Sequence, residues 1–434
     1  MNHTLFLVMV ISIFISSFPV YAEIWTLNRT VDTALNTSNL VAVEKLEADE
    51  AYLDALTAEK GWFPSFRFSA GANYVSEVMK IDLPFKSVRF GDYDSYDMNV
   101  SFHQLLYDGG RLKALKEAGR DRSSMFLHEA DAAGLEVEFQ AKAAFFNVIM
   151  AEDACKVSQT SLVEAQNHFH DVGALHEQGM ALENDVLKAR LRISNAEMEK
   201  VAKNADLERA RAVFRRMTGL APDDEVIVTW NENDFENVET KNFGKAFALR
   251  PEFKAFDAAI EASEQKARAA RADIMPNIGL FGRYNYGKPG LDMPANEWMD
   301  YFSSGVLLSC TLWDWGNINR EVEKARINKR KIVRNRDNLK LIVSQQITEA
   351  FSGYEEVKKR KELAAEAGIL AKKQLELTQS AYREGMATET DYDNAHTAFT
   401  KSAYESSISK IALWLSMAKI EYVLGIRYTG GDHE

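Results

Sequence analysis

The chain has 434 residues, 64 acidic against 52 basic, for a net charge of −12. That balance excludes nucleic acid as a partner, since nucleic acid calls for a basic face. Two cysteines, Cys155 and Cys310, are too few for a disulfide scaffold, and both are expected to be unpaired.

In chain order, residues 1–22 read as a secretory signal. An apolar core runs from Leu5 to Phe18 and Val20-Tyr21-Ala22 ends at small residues, although only Asn2 and His3 stand where basic residues are usual. The mature chain then begins near Glu23, and no Cys follows to carry a lipid anchor. No later apolar run reaches the roughly 20 residues that a membrane helix needs. Any span of a membrane must therefore be made of strands.

A first helix is expected near Leu27 to Lys60, then a strand in which Phe66, Phe68, Ala70, Ala72 and Tyr74 alternate with Ser65, Arg67, Ser69, Gly71 and Asn73. A return strand near Tyr96 to Leu106 alternates in the same way. Apolar on one face and polar on the other is what a strand between lipid and a watery lumen requires. Residues Gly109 to Ala221 and Gly316 to the C-terminus contain no proline and are rich in strong helix formers, so they permit very long helices. Leu339, Val343, Ile347, Ala350, Tyr354 and Val357 step by threes and fours, the spacing of helix-on-helix packing.

The chain then repeats itself. Pro64, Asn73 and Tyr74 match Pro276, Asn285 and Tyr286 at an offset of 276 − 64 = 212. Beyond the strands the offset becomes 206: Asp108 and Gly110 pair with Asp314 and Gly316, Gly179-Met180-Ala181 with Gly385-Met386-Ala387, and Gly219 with Gly425. The division expected is a signal (1–22), repeat 1 (23–220, hairpin 64–106), a linker (221–240), repeat 2 (241–426, hairpin 276–312) and a short tail (427–434). The second repeat's helix is expected near Phe243 to Ile274, with Pro251 in a first turn. Four strands cannot close a barrel, and an open edge is forbidden in lipid, so copies must associate.

On these marks, above all the duplicated order, Leu106-Tyr107-Asp108-Gly109-Gly110-Arg111, and Leu312-Trp313-Asp314-Trp315-Gly316, the chain resembles the TolC family of outer-membrane efflux and secretion channels over nearly all of its mature length. The resemblance implies a mainly α fold with β: a long α-helical barrel crossing the periplasm, and a transmembrane β-barrel of twelve strands completed by trimerisation. It implies an exit duct of a type I secretion or efflux system, fed by an inner-membrane transporter and a periplasmic adaptor, and set in outer-membrane lipid. Asp185 and Tyr382 fall where the family has a linking pair at its periplasmic gate, and Asp391 falls on the first Asp of its selectivity ring. Ala387 stands where the best-known member has a linking Arg, and Asn394 where it has the second Asp, with Asp393 adjacent. A weaker closure, or one held by other contacts, follows. Gly179, Met180, Ala181, Gly385, Met386 and Ala387 map to the helix tips where the family docks its adaptor. As a capping device alone, the two glycines would end helices anyway.

His168, His170 and His176 cluster before the first tip, but no Cys or carboxylate-His spacing completes a metal site. No phosphate loop, Ser/His/Asp set or nucleophile elbow is present, so no cofactor and no enzyme is expected. An exported structural or adhesive coiled coil would share the long helices and the signal, without explaining two matched hairpins. The Asp-Gly-Gly-Arg run and the absent lipid anchor resemble the secretion branch more than the small-molecule one.

Overall fold

The computed structural model describes residues 24–90, 92–230, 243–291 and 297–427. The expected signal, half of the expected linker and residues 428–434 lie outside them.

Strand β1 (Ile24–Trp25) is followed by α1 (Leu27–Thr37) and α2 (Asn39–Lys60), where one continuous helix was expected. Ser38 interrupts it in an extended conformation and caps α2, its hydroxyl accepting from the Val41 N–H at 3.4 Å. Then come β2 (Ser65–Tyr74), a small hairpin of β3 (Met79–Leu83) and β4 (Lys86–Phe90) within the first connection, and β5 (Asp94–Tyr107). After α3 (Arg111–Glu177) and α4 (Glu183–Thr218), β6 (Ile227–Val228) returns to pair in parallel with β1. The second half holds α5 (Phe243–Leu249), α6 (Pro251–Ala272), β7 (Asn277–Lys288), β8 (Met299–Ser309), α7 (Asn317–Arg383) and α8 (Glu389–Leu424). The single helix expected from Phe243 is broken too. A residue before proline is pushed out of the helical region, and Arg250 is extended, leaving Pro251 as the first residue of α6. Ser38 and Arg250 are 250 − 38 = 212 apart, the offset of the matched prolines.

Both α3 and α7 are 67 residues long, roughly 100 Å at 1.5 Å per residue, and both α4 and α8 are 36. The matched Asp-x-Gly marks explain how the long helices begin. Asp108 accepts from the N–H groups of Gly110 (2.9 Å) and Leu112 (2.6 Å), and Asp314 from those of Gly316 (2.8 Å) and Ile318 (2.6 Å). These bonds satisfy amides that no helical carbonyl reaches. One difference between the repeats stands out. Gly109 has φ +69 and a Cβ there would sit 2.4 Å from that of Met275, whereas its counterpart Trp315 adopts φ +58 as an exposed side chain, edge-on to Trp313 at 5.8 Å.

The two hairpins join into one antiparallel sheet in the order β2-β5-β7-β8. On one face Phe66 (73% exposed) and Phe68 (67%), with Val100, Tyr284 and Phe302, stand in the open. So much uncovered apolar surface needs an apolar cover. Among the described residues no helix is long and apolar enough to cross a membrane. The main core lies midway along α3, where Phe145, Phe146 and Val148 pack with Trp25, Val31 and Phe214. Trp230 meets Phe146 edge-on at 5.0 Å.

Candidate functional site at the helix tips

The far ends of α3 and α7, opposite the sheet, are built alike. Gly179 and Gly385 both take φ +74, a region that favours glycine. The Met180 N–H donates to the Leu175 carbonyl and the Met386 N–H to that of Ala381, each at 2.8 Å. These bonds complete a Schellman turn that reverses the chain into the returning helix. Met180 and Met386 are exposed, while Ala181 and Ala387 turn inward to pack with Val172, Ala189 and Tyr382.

Asp185 and Asp391 are each the third residue of the returning helix. Asp391 accepts from the Thr388 N–H (2.9 Å) and hydroxyl (2.6 Å), and the Thr388 hydroxyl accepts from the Asp391 N–H (3.2 Å), a complete capping box. The bonds from Thr388 hold the Asp391 carboxyl below the usual carboxylate range, so this exposed group is ionised at neutral pH. Asp185 makes the weaker version, accepting from the Leu182 N–H at 3.3 Å. Asn394 is exposed and lines a groove between α4 and α8 beside Asp393 and Arg192.

Behind the tips, polar groups tie four helices together, the His168–Glu389 pair buried and the Arg383–Asp171 pair at the surface. His168 on α3 meets Glu389, the first residue of α8, with Nε2 at 3.0 and 2.9 Å from the two carboxylate oxygens and both side chains 1% exposed. The His168 ring lies flat on Tyr392 at 3.5 Å between centroids. Burial pushes the Tyr392 phenol up to about 12, although the Arg192 guanidinium, 5.0 Å over the ring, pulls the other way. Arg192 on α4 pairs with Asp393 on α8, Arg383 on α7 with Asp171 on α3 at 2.7 Å, and His396 with Glu164 at 3.5 Å. Tyr382 is buried in the same place. Burial first, then the charge of Glu389 and more weakly that of Asp185, holds its phenol well above the usual value.

The residues expected at a gate are thus gathered at one end, with Tyr382 and Asp185 within electrostatic reach of each other. The His168–Glu389 clasp was missed. Its signal was position: His168 continues the buried stripe of Ser161, Ala165 and Val172 at steps of four, three and four. The three histidines do not converge, since His176 turns its Nδ1 to the Ala181 carbonyl at 2.9 Å. Among the described residues no group of His, Cys, Asp and Glu is arranged for a metal.

A family profile described as outer membrane efflux protein matches residues 30–220 and 243–405, and the chain belongs to that family. It is a family of channels rather than enzymes, and the chain is an outer-membrane protein with a large periplasmic helical part. Alkaline protease secretion protein AprF of Pseudomonas aeruginosa is 22% identical over 240 residues, which is 52% of this chain. The aligned stretch is 48% of that protein, so the chain spans about half the length of its curated relative. The Campylobacter jejuni CmeC outer membrane channel superposes with a TM-score of 0.81 at 16% identity, over 94% of this chain and 87% of that one. The outer membrane protein VceC of Vibrio cholerae does so at 0.77 and 16%, over 92% and 96%. At such identities the likeness is one of fold. An exported structural or adhesive coiled coil is not supported.

Proposed function

We propose that three copies of this chain close one continuous duct, the exit of a type I secretion system, passing cargo from an inner-membrane transporter and a periplasmic adaptor to the exterior. The observation that carries this is the sheet order. Among the described residues β2 and β8 are left with unpaired edges while one face of the sheet is apolar and exposed, and an open edge is not tolerated in lipid. Pairing β8 of one copy with β2 of the next removes every edge, and three times four strands gives twelve. Secretion is favoured over small-molecule efflux by the relative whose name records protease secretion. The family's description favours efflux, and cargo identity separates the two.

The tips form the periplasmic mouth. Three Asp391 carboxylates, kept ionised by Thr388, attract cations and repel anions there. Asp185, Tyr382 and Asn394 belong to the same closure, and the exposed Met180 and Met386, on their Gly-Met-Ala turns, offer the adaptor an apolar landing. In planar bilayers, purified wild-type protein of trimer mass is expected to give discrete, cation-selective openings. Asp391→Ala is expected to move the cation-to-anion permeability ratio towards one without loss of the trimer. Failure of the wild type to open at all, with a monomer mass, would remove the reading.

A further inference from the structure

The polar face of the sheet carries a feature that the gate does not use. Strand register places Arg67, Ser101, Arg283 and Ser303 directly opposite one another in a single row across all four strands. Opposed residues share a face, so both guanidinium groups stand on the polar side, two strand spacings or roughly 10 Å apart. Both side chains are exposed, and among the described residues neither has a carboxylate within ion-pairing distance. The one carboxylate described on that face, Asp97, lies two rows further out and accepts from the Asn99 amide at 2.8 Å. The row also lines a concave pocket in the sheet with His103, Asn285 and Tyr301. Positive charge is concentrated here in a chain whose net charge is −12.

We propose that Arg67 and Arg283 form an anion-binding band inside the barrel, three copies contributing six guanidinium groups that engage carboxylates of passing cargo. This rests on the three-copy duct, which turns the polar face into the lumen wall. Guanidinium binds carboxylate through paired hydrogen bonds and stays charged at every physiological pH. Serines beside each arginine leave its donors free for a ligand. The spacing of the two arginines lets an extended acidic peptide engage both at once. The periplasmic mouth and the barrel then have opposite signs, so an acidic segment held off by Asp391 is drawn forward once past it.

The test uses the assembled protein in a planar bilayer at about 0.1 M salt, where charges act over roughly 10 Å, with hexaglutamate added on the outer side. Wild-type openings are expected to be blocked transiently. In R67S/R283S the blocked time is expected to fall about tenfold or more, the loss of charge-assisted contacts, while R67K/R283K keeps an intermediate block. If the serine variant does not open, R67Q/R283Q, similar in reach but uncharged, carries the comparison with the same expected loss. Equal block of wild type and uncharged variant overturns the band and leaves the duct standing. Absence of any wild-type opening overturns the duct and the band with it. Block by citrate as strong as that by hexaglutamate upholds the band and assigns it to small organic anions.

Discussion

In the proposed three-copy duct, Glu389→Ala is expected to leave the assembly intact while raising the open-to-closed ratio about 10- to 100-fold, the worth of one charge-assisted hydrogen bond of about 1.5–3 kcal/mol. His168 sits on α3 and Glu389 opens α8, so their bond fastens one helical hairpin to the other just behind the tips. A mouth that dilates by parting these hairpins must break it. Single-channel records of H168A, E389A and the double variant measure the coupling. If the single effects simply add, the pair is not the fastening. The same clasp has an alkaline limit. The Tyr392 phenol is raised from about 10 in the unfolded chain to about 12 by burial, so the stability linked to its proton is complete below pH 10 and lost as pH climbs through 12. With the side chain 1% exposed, that amounts to on the order of 3 kcal/mol. The part of the tyrosinate absorbance that Tyr392→Phe removes should appear late, near pH 12, together with a rise in open time. A tyrosinate signal complete near pH 10 would show that Tyr392 is not sequestered.

How much of this could be read from the chain depends on how local the cause is. The long helices were legible because absent prolines and stepped small residues act over a few turns. The strand faces were legible because Phe66, Phe68 and Arg67, Ser69 alternate within one strand. The break before Pro251 was within reach, since proline constrains its predecessor, yet Pro251 was assigned to the first turn of a longer helix. The break at Ser38 was not, because Val41 at the third position of α2 gives no capping-box pattern. Thr388-x-x-Asp391 does give one, so Asp391 could have been seen as a cap as well as a mouth charge. The clasp joins residues 221 apart in sequence, and nothing in either neighbourhood names the partner. What the sequence did contain was the lack of a linking Arg at position 387 and the inference that closure, if as strong, needed other contacts. On the proposed gate, those around His168 would serve as such contacts.

Lys142→Met is expected to be among the most destabilising single changes in the periplasmic part, costing about 3–5 kcal/mol, the range for removing one partner of a buried ion pair. The Lys142 side chain is 1% exposed and its ammonium donates to Glu138 at 2.7 Å on the same helix and to Glu421 at 2.8 Å on α8. Burial pushes the Glu421 carboxyl up, with Lys142 opposing it and Glu138 adding to it. Take the ammonium away and two carboxylates face each other out of water, so the upward displacement grows. A raised carboxyl gives stability that is complete at low pH and lost as pH rises through the folded value. The deficit in melting temperature should therefore be smaller at pH 5 than at pH 8. Replacing all three groups together, as E138Q/K142M/E421Q, should recover most of the loss, because apolar and neutral groups of similar size carry no desolvation penalty of this kind. A triple variant no more stable than K142M would mean that the cluster holds α3 against α8 through the shape of its side chains and not through their charge.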